Sequence, residues 1–217
     1  MILARENTKN GEIVLRQGSA GYEIIVDGQF LMSSASGRSS EVLVELGLGE
    51  LAGRNNLSVL IAGLGLGFSL KTALEYAAVA EVTVVELEEK IIQWHQGDII
   101  PGSAVYFKDA RVQVHSRDFL EFVAGCREHY DLIAIDIDNG PDWLSHPENS
   151  RLYGRDNLGR IKEILKPGGI TTFWSASPAL ELAERLESVF GNVSETEVAD
   201  HNGEGRIIPA FIYLCRS

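Results

Sequence analysis

Gly63, Gly65 and Gly67, spaced by single residues, sit between an apolar run (SVLIA, 58–62) and an amphipathic stretch. A turn between strand and helix lets a ligand reach backbone N–H groups and the positive end of a helix dipole, and glycine permits the sharp bend. The dinucleotide fingerprint needs its last glycine where this chain has Phe68. The glycine arrives one residue early, which points away from NAD and toward S-adenosylmethionine. Glu86 closes the next apolar run, VTVVE. There its two carboxylate oxygens can take both hydroxyls of a ribose, unless it belongs with the solvated charges Glu88, Glu89 and Lys90. Asp118, in HSRDFLEF, suits a helix N-cap, an acceptor for an adenine amino group, or both. Asp136 and Asp138 end the stretch YDLIAIDID two residues apart, as a carboxylate pair that can hold a cationic amine and take its proton. Trp143, His146 and Tyr153 follow as candidates for the substrate side, with packing or surface roles as the alternative, and His201 is a weaker one.

These residues need a scaffold that gathers them. Beyond residue 55 the chain alternates short β-branched runs with longer helical patterns, the signature of a parallel sheet wrapped by helices. The pattern predicts strands at 58–62, 81–86, 112–116, 131–136, 169–175, 193–199 and 207–214, and helices at about 68–79, 88–97, 118–127, 151–166 and 178–190. Pro178 suits a first helical turn, and Lys166-Pro167-Gly168-Gly169 reads as a helix stop. The last two strands are too close for a crossover helix, so they pair antiparallel. Ahead of this α/β unit (39–217), residues 1–38 predict a small three-stranded β-meander from 12–17, 22–28 and 29–34, with a lead-in helix running from Ser39 or Ser40 to about Gly53. A meander that short needs a partner surface, on the main unit or on a second copy, so a homodimer is expected.

The formal charge of −12 over 217 residues opposes a nucleic-acid partner and fits a small cationic substrate. No stretch approaches a membrane span, and Cys126 and Cys215 sit in no metal-binding motif, so the expectation is a cytosolic protein with reduced, buried cysteines and no structural metal.

Taken in order, the glycine turn, VVELEEK, HSRDFLEF, YDLIAIDIDNGP and LKPGGI resemble the spermidine synthase family, aminopropyltransferases on the class I methyltransferase fold. YEIIVDGQFLMSS and SSEVLVEL resemble that family's N-terminal β-domain and lead-in helix. The resemblance implies ribose binding by Glu86, adenine binding by Asp118 and amine deprotonation by Asp136. This chain departs from the family at three places. Its loop carries Leu66 where GGGDGG has an acid, Leu43-Val44-Glu45 stands for Tyr-His-Glu, and Ile137-Asp138-Asn139-Gly140 replaces Ser-Thr-Asp-Pro. The expectation is therefore a Rossmann-like transferase using S-adenosylmethionine or its decarboxylated form, with methyl transfer to a small amine ahead of true aminopropyl transfer. A non-catalytic nucleoside-binding scaffold is the third reading.

Overall fold

The computed structural model describes residues 1–137, 140–141, 144, 147–201 and 206–217. Four antiparallel strands come first, β1 (Ile2–Thr8), β2 (Gly11–Gln17), β3 (Tyr22–Val26) and β4 (Gln29–Ser33), paired in chain order. The meander thus has one strand more than the sequence pattern predicts. Every residue of β1 is at least partly exposed, so ILARENT lacks the apolar alternation of a half-buried strand. Ile13, Leu15 and Ile24 are at most 1% exposed and join the core beneath the helices of the main sheet.

The lead-in helix α1 (Arg38–Glu50) passes into a seven-stranded sheet. Its strands are β5 (Leu57–Ala62), β6 (Val79–Glu86), β7 (Val112–Ser116), β8 (Tyr130–Ile135), β9 (Leu165–Ser175), β10 (Val193–His201) and β11 (Ile207–Arg216), in the spatial order β10-β11-β9-β8-β5-β6-β7. The five strands from β9 to β7 are parallel, whereas β11 runs antiparallel to both its neighbours. Strand β5 shows why the parallel strands read as unbroken apolar runs: Val59 and Ile61 face one core, Leu60 and Ala62 the other, all fully buried. The first core is covered by α1, α2 (Phe68–Glu75) and α3 (Glu89–Gln96), and the second by α4 (Phe119–Gly125), α5 (Arg155–Glu163) and α6 (Leu180–Phe190).

Three helix expectations are corrected. Helix α2 stops four residues early, because Tyr76 turns extended and the Ala78 carbonyl accepts the Leu57 N–H at the start of the sheet. Pairing with β5 overrides the helical propensity of Ala77 and Ala78. Residues Pro147–Tyr153 form a separate 3₁₀ turn before α5, and Lys166-Pro167-Gly168-Gly169 lies within β9 instead of ending a helix. Between Leu165 and Ile170 β9 bulges while β8 advances only from Tyr130 to Leu132, with Gly168 at φ +68. Pro178 precedes α6, whose first residue is Leu180. Of the cysteines, Cys215 is buried and Cys126 only partly so, and both are free. Among the described residues, no helix is long and apolar enough to cross a membrane.

Candidate active site

A cleft of about 290 Å3 opens where the parallel strands end, lined by residues of the glycine turn, β4, α1, the ends of β6 and β8, and β10. The crevice outside the carboxyl ends of parallel strands, where neighbouring connections diverge, is where open α/β sheets bind ligands. Here β5 is that switch point, with β6 on one side and β8 on the other.

Glu86 ends β6 and is 7% exposed. The Leu64 N–H donates to its Oε2 and the Glu88 N–H to its Oε1, each at 2.8 Å, which fixes the carboxylate at the cleft wall with lone pairs to spare. Burial raises its pKa, opposed by those backbone donors. Asp118 caps α4, its Oδ1 accepting the Glu121 N–H at 2.9 Å, and it lines the same cleft. Asp136 follows β8 and accepts the Ser69 hydroxyl at 3.1 Å on Oδ2. Burial pushes its pKa up, with the Ser40 and Ser69 hydroxyls pulling the other way. The structure therefore brings Glu86, Asp118 and Asp136 to one cleft, together with Gly63 and Gly65. Asp138, Trp143 and His146 lie outside the described residues. Tyr153 is 2% exposed in the second core, and exposed His201 ends β10.

The glycine turn differs from the expected bare surface offered to a ligand. All three glycines have positive φ (+92, +49 and +87), and each makes room for a protein neighbour. A Cβ on Gly63 would stand 2.2 Å from the Asp136 carbonyl oxygen, one on Gly65 2.7 Å from Met32 Sδ, and one on Gly67 3.0 Å from His95 Cε1. The backbone N–H groups are turned inward as well. Gly63 donates to the Val85 carbonyl, Leu64 to Glu86, Leu66 to Met32 Sδ and Gly67 to the Leu64 carbonyl.

Sequence reasoning missed four residues here. Asp200, 4% exposed in β10, accepts the Ser39 N–H at the start of α1 at 2.9 Å and lines the cleft. Trp174 lines it too, and its indole N–H has no partner among the described residues. Met32 and His95 brace the glycine turn from β4 and α3. Each is brought in by long-range packing, and no local spacing marks it.

The sheet order with its inserted antiparallel strand is that of the class I methyltransferase fold. Residues 38–201 match the spermine/spermidine synthase domain, and the chain belongs to that family. It is 29% identical over 205 residues to a polyamine aminopropyltransferase of Saccharolobus solfataricus, covering 89% of this chain and 64% of that one. It is 28% identical over 201 residues to a polyamine aminopropyltransferase of Oceanobacillus iheyensis, covering 90% of this chain and 36% of that one. The chain thus spans about a third to two thirds of the length of these relatives. Spermidine synthase from Thermotoga maritima superposes with a TM-score of 0.82 at 16% identity over 99% of this chain and 72% of its own. A spermidine synthase solved with the transition-state analogue AdoDATO gives 0.80 at 16%, again over 99% and 72%.

Proposed function

We propose that this cleft is the active site of a polyamine aminopropyltransferase of the spermidine synthase type, taking decarboxylated S-adenosylmethionine as donor and an amine as acceptor. The observation that carries this reading is the charge of the cleft. Glu86, Glu88, Asp118, Asp136 and Asp200 line it against a single basic residue among those described, Arg117, which adjoins Asp118. The carboxylate of intact S-adenosylmethionine would meet acids and a glycine turn whose Gly63, Leu64, Leu66 and Gly67 N–H groups are already donated. The decarboxylated donor keeps the same terminal ammonium and lacks that carboxylate, so only the favoured charge faces the acids. Family membership and the aminopropyltransferase relatives support the same ordering, which reverses the preference for methyl transfer that the sequence departures suggested.

In this reading Glu86 takes the ribose diol and Asp118 the adenine amino group, while Gly63, Gly65 and Gly67 let Asp136, Met32 and His95 close around the turn. Asp136 takes a proton from the acceptor ammonium. The freed nitrogen bonds to the propyl carbon as the carbon–sulfur bond breaks, and sulfur leaves as the neutral thioether of methylthioadenosine. A raised pKa suits Asp136 to that task, because a carboxylate that binds its proton more tightly is the stronger base. Calorimetric titration tests the donor assignment: the decarboxylated form should bind at least about tenfold tighter than S-adenosylmethionine, a gap of about 1.4 kcal/mol. Equal affinity, or a preference for the intact form, returns methyl transfer to first place.

A further inference from the structure

We propose that Met32 and His95 set the donor-tail specificity of the cleft by clamping the two ends of one peptide group, Gly65–Leu66. The Leu66 N–H donates to Met32 Sδ at 3.2 Å, and the Gly65 carbonyl oxygen lies 2.9 Å from His95 Nε2. Those two atoms belong to the same peptide plane, gripped from β4 on one side and α3 on the other.

The carbonyl can only accept, so His95 Nε2 carries the hydrogen and Nδ1 is left as an acceptor. Nδ1 is buried with no partner among the described residues, and the whole side chain is fully buried. An unpaired buried polar atom is destabilising, a cost that a phenyl ring in the same place, stacked on Phe107, would avoid. The hydrogen bond to Gly65 is what the imidazole adds. The same bond fixes the peptide's orientation, since a flipped plane would aim its N–H at the His95 N–H and its carbonyl at the Met32 sulfur. In the clamped orientation, Leu64 keeps its N–H on Glu86 and Leu66 keeps its N–H on sulfur. Met32 lines the cleft beside Gly65, and its sulfur occupies the Leu66 N–H, which closes that loop donor to a carboxylate. His95 acts through the loop and is a positioning residue, whereas Met32 is a specificity residue.

This inference rests on the cleft taking the adenosyl donor, and its test separates the two claims. Methylthioadenosine binding to the unaltered protein checks the nucleoside site alone. Met32→Leu keeps the volume but removes the acceptor. It should tighten S-adenosylmethionine binding about fivefold relative to the decarboxylated form while leaving methylthioadenosine within about twofold. His95→Phe should weaken methylthioadenosine about tenfold, and His95→Gln, which retains an N–H donor, should restore most of that loss. In the ligand-free protein, NMR should show faster amide exchange at Leu66 in both Met32→Leu and His95→Phe. An unchanged donor ratio in folded Met32→Leu, a His95→Gln no better than His95→Phe, or unaltered Leu66 exchange each overturns the clamp, whatever the unaltered protein binds.

Discussion

Burial holds the Asp136 carboxyl above the ordinary carboxylate range, and this has opposite consequences for stability and for turnover. A carboxyl whose pKa is higher folded than unfolded favours folding while protonated. That contribution is lost as pH rises through the folded value. Replacing Asp136 with Asn removes the ionised group, so the ligand-free variant should melt about 2–4 °C above the parent at pH 8, for about 1 kcal/mol gained, with the gap closing toward pH 4. Its turnover should fall about 10²- to 10⁴-fold, and the acid limb of the parent's pH–rate profile should vanish. Scanning calorimetry and steady-state rates across pH check both halves. At this scale the sequence marked the residues that end strands or open turns: Gly63, Glu86, Asp118 and Asp136 each sit at a boundary that local pattern reveals. The bracing residues were illegible. Met32 meets Leu66 across 34 positions, His95 meets Gly65 across 30 and Asp200 meets Ser39 across 161, so no short window of sequence contains any of the three pairs whole.

Elements give single residues two duties, and α4 is the clearest case. Asp118 is both the cap of a seven-residue helix and a wall of the cleft. Its two substitutions should therefore separate. Asp118→Asn keeps a capping oxygen and should hold stability within about 0.5 kcal/mol while weakening binding of the adenine moiety, whereas Asp118→Ala should lose about 1 kcal/mol of stability besides. Urea melts paired with methylthioadenosine titrations distinguish them, and equal binding by parent and Asn variant would leave the cap as its sole role. Element boundaries were legible where apolar period and punctuation agreed, as at β5 and β7. They were misread where a tertiary demand overrode local chemistry. The Lys166–Gly169 stretch has every mark of a helix stop, yet β9 needs those residues to bulge past β8. Likewise β1 was invisible because its side chains pack too loosely to leave a pattern.

For the whole molecule, the excess of acid is both global and local: a formal charge of −12 surrounds a cleft already rich in carboxylates. Such a field gathers polycations, and salt screens it over about 8 Å at physiological ionic strength. Raising sodium chloride from 50 mM to about 500 mM should increase KM for an amine acceptor several-fold and leave kcat nearly constant, as initial rates at fixed donor would register. A salt-independent KM would mean that contact chemistry alone recruits the amine. The charge was plain from composition, but its concentration at one end of the sheet required the fold. One topological detail also bears on how the protein is made. Strand β11 threads between β9 and β10, yet it is synthesised after both. While a ribosome is still short of Ile207, β10 has no neighbour to bond with, so Asp200 waits unanchored and the start of α1 lacks its carboxylate cap. A nascent chain at that stage holds the Glu86 side of the cleft nearly finished beside an open β10 side, and the cleft is closed only when β11 pairs.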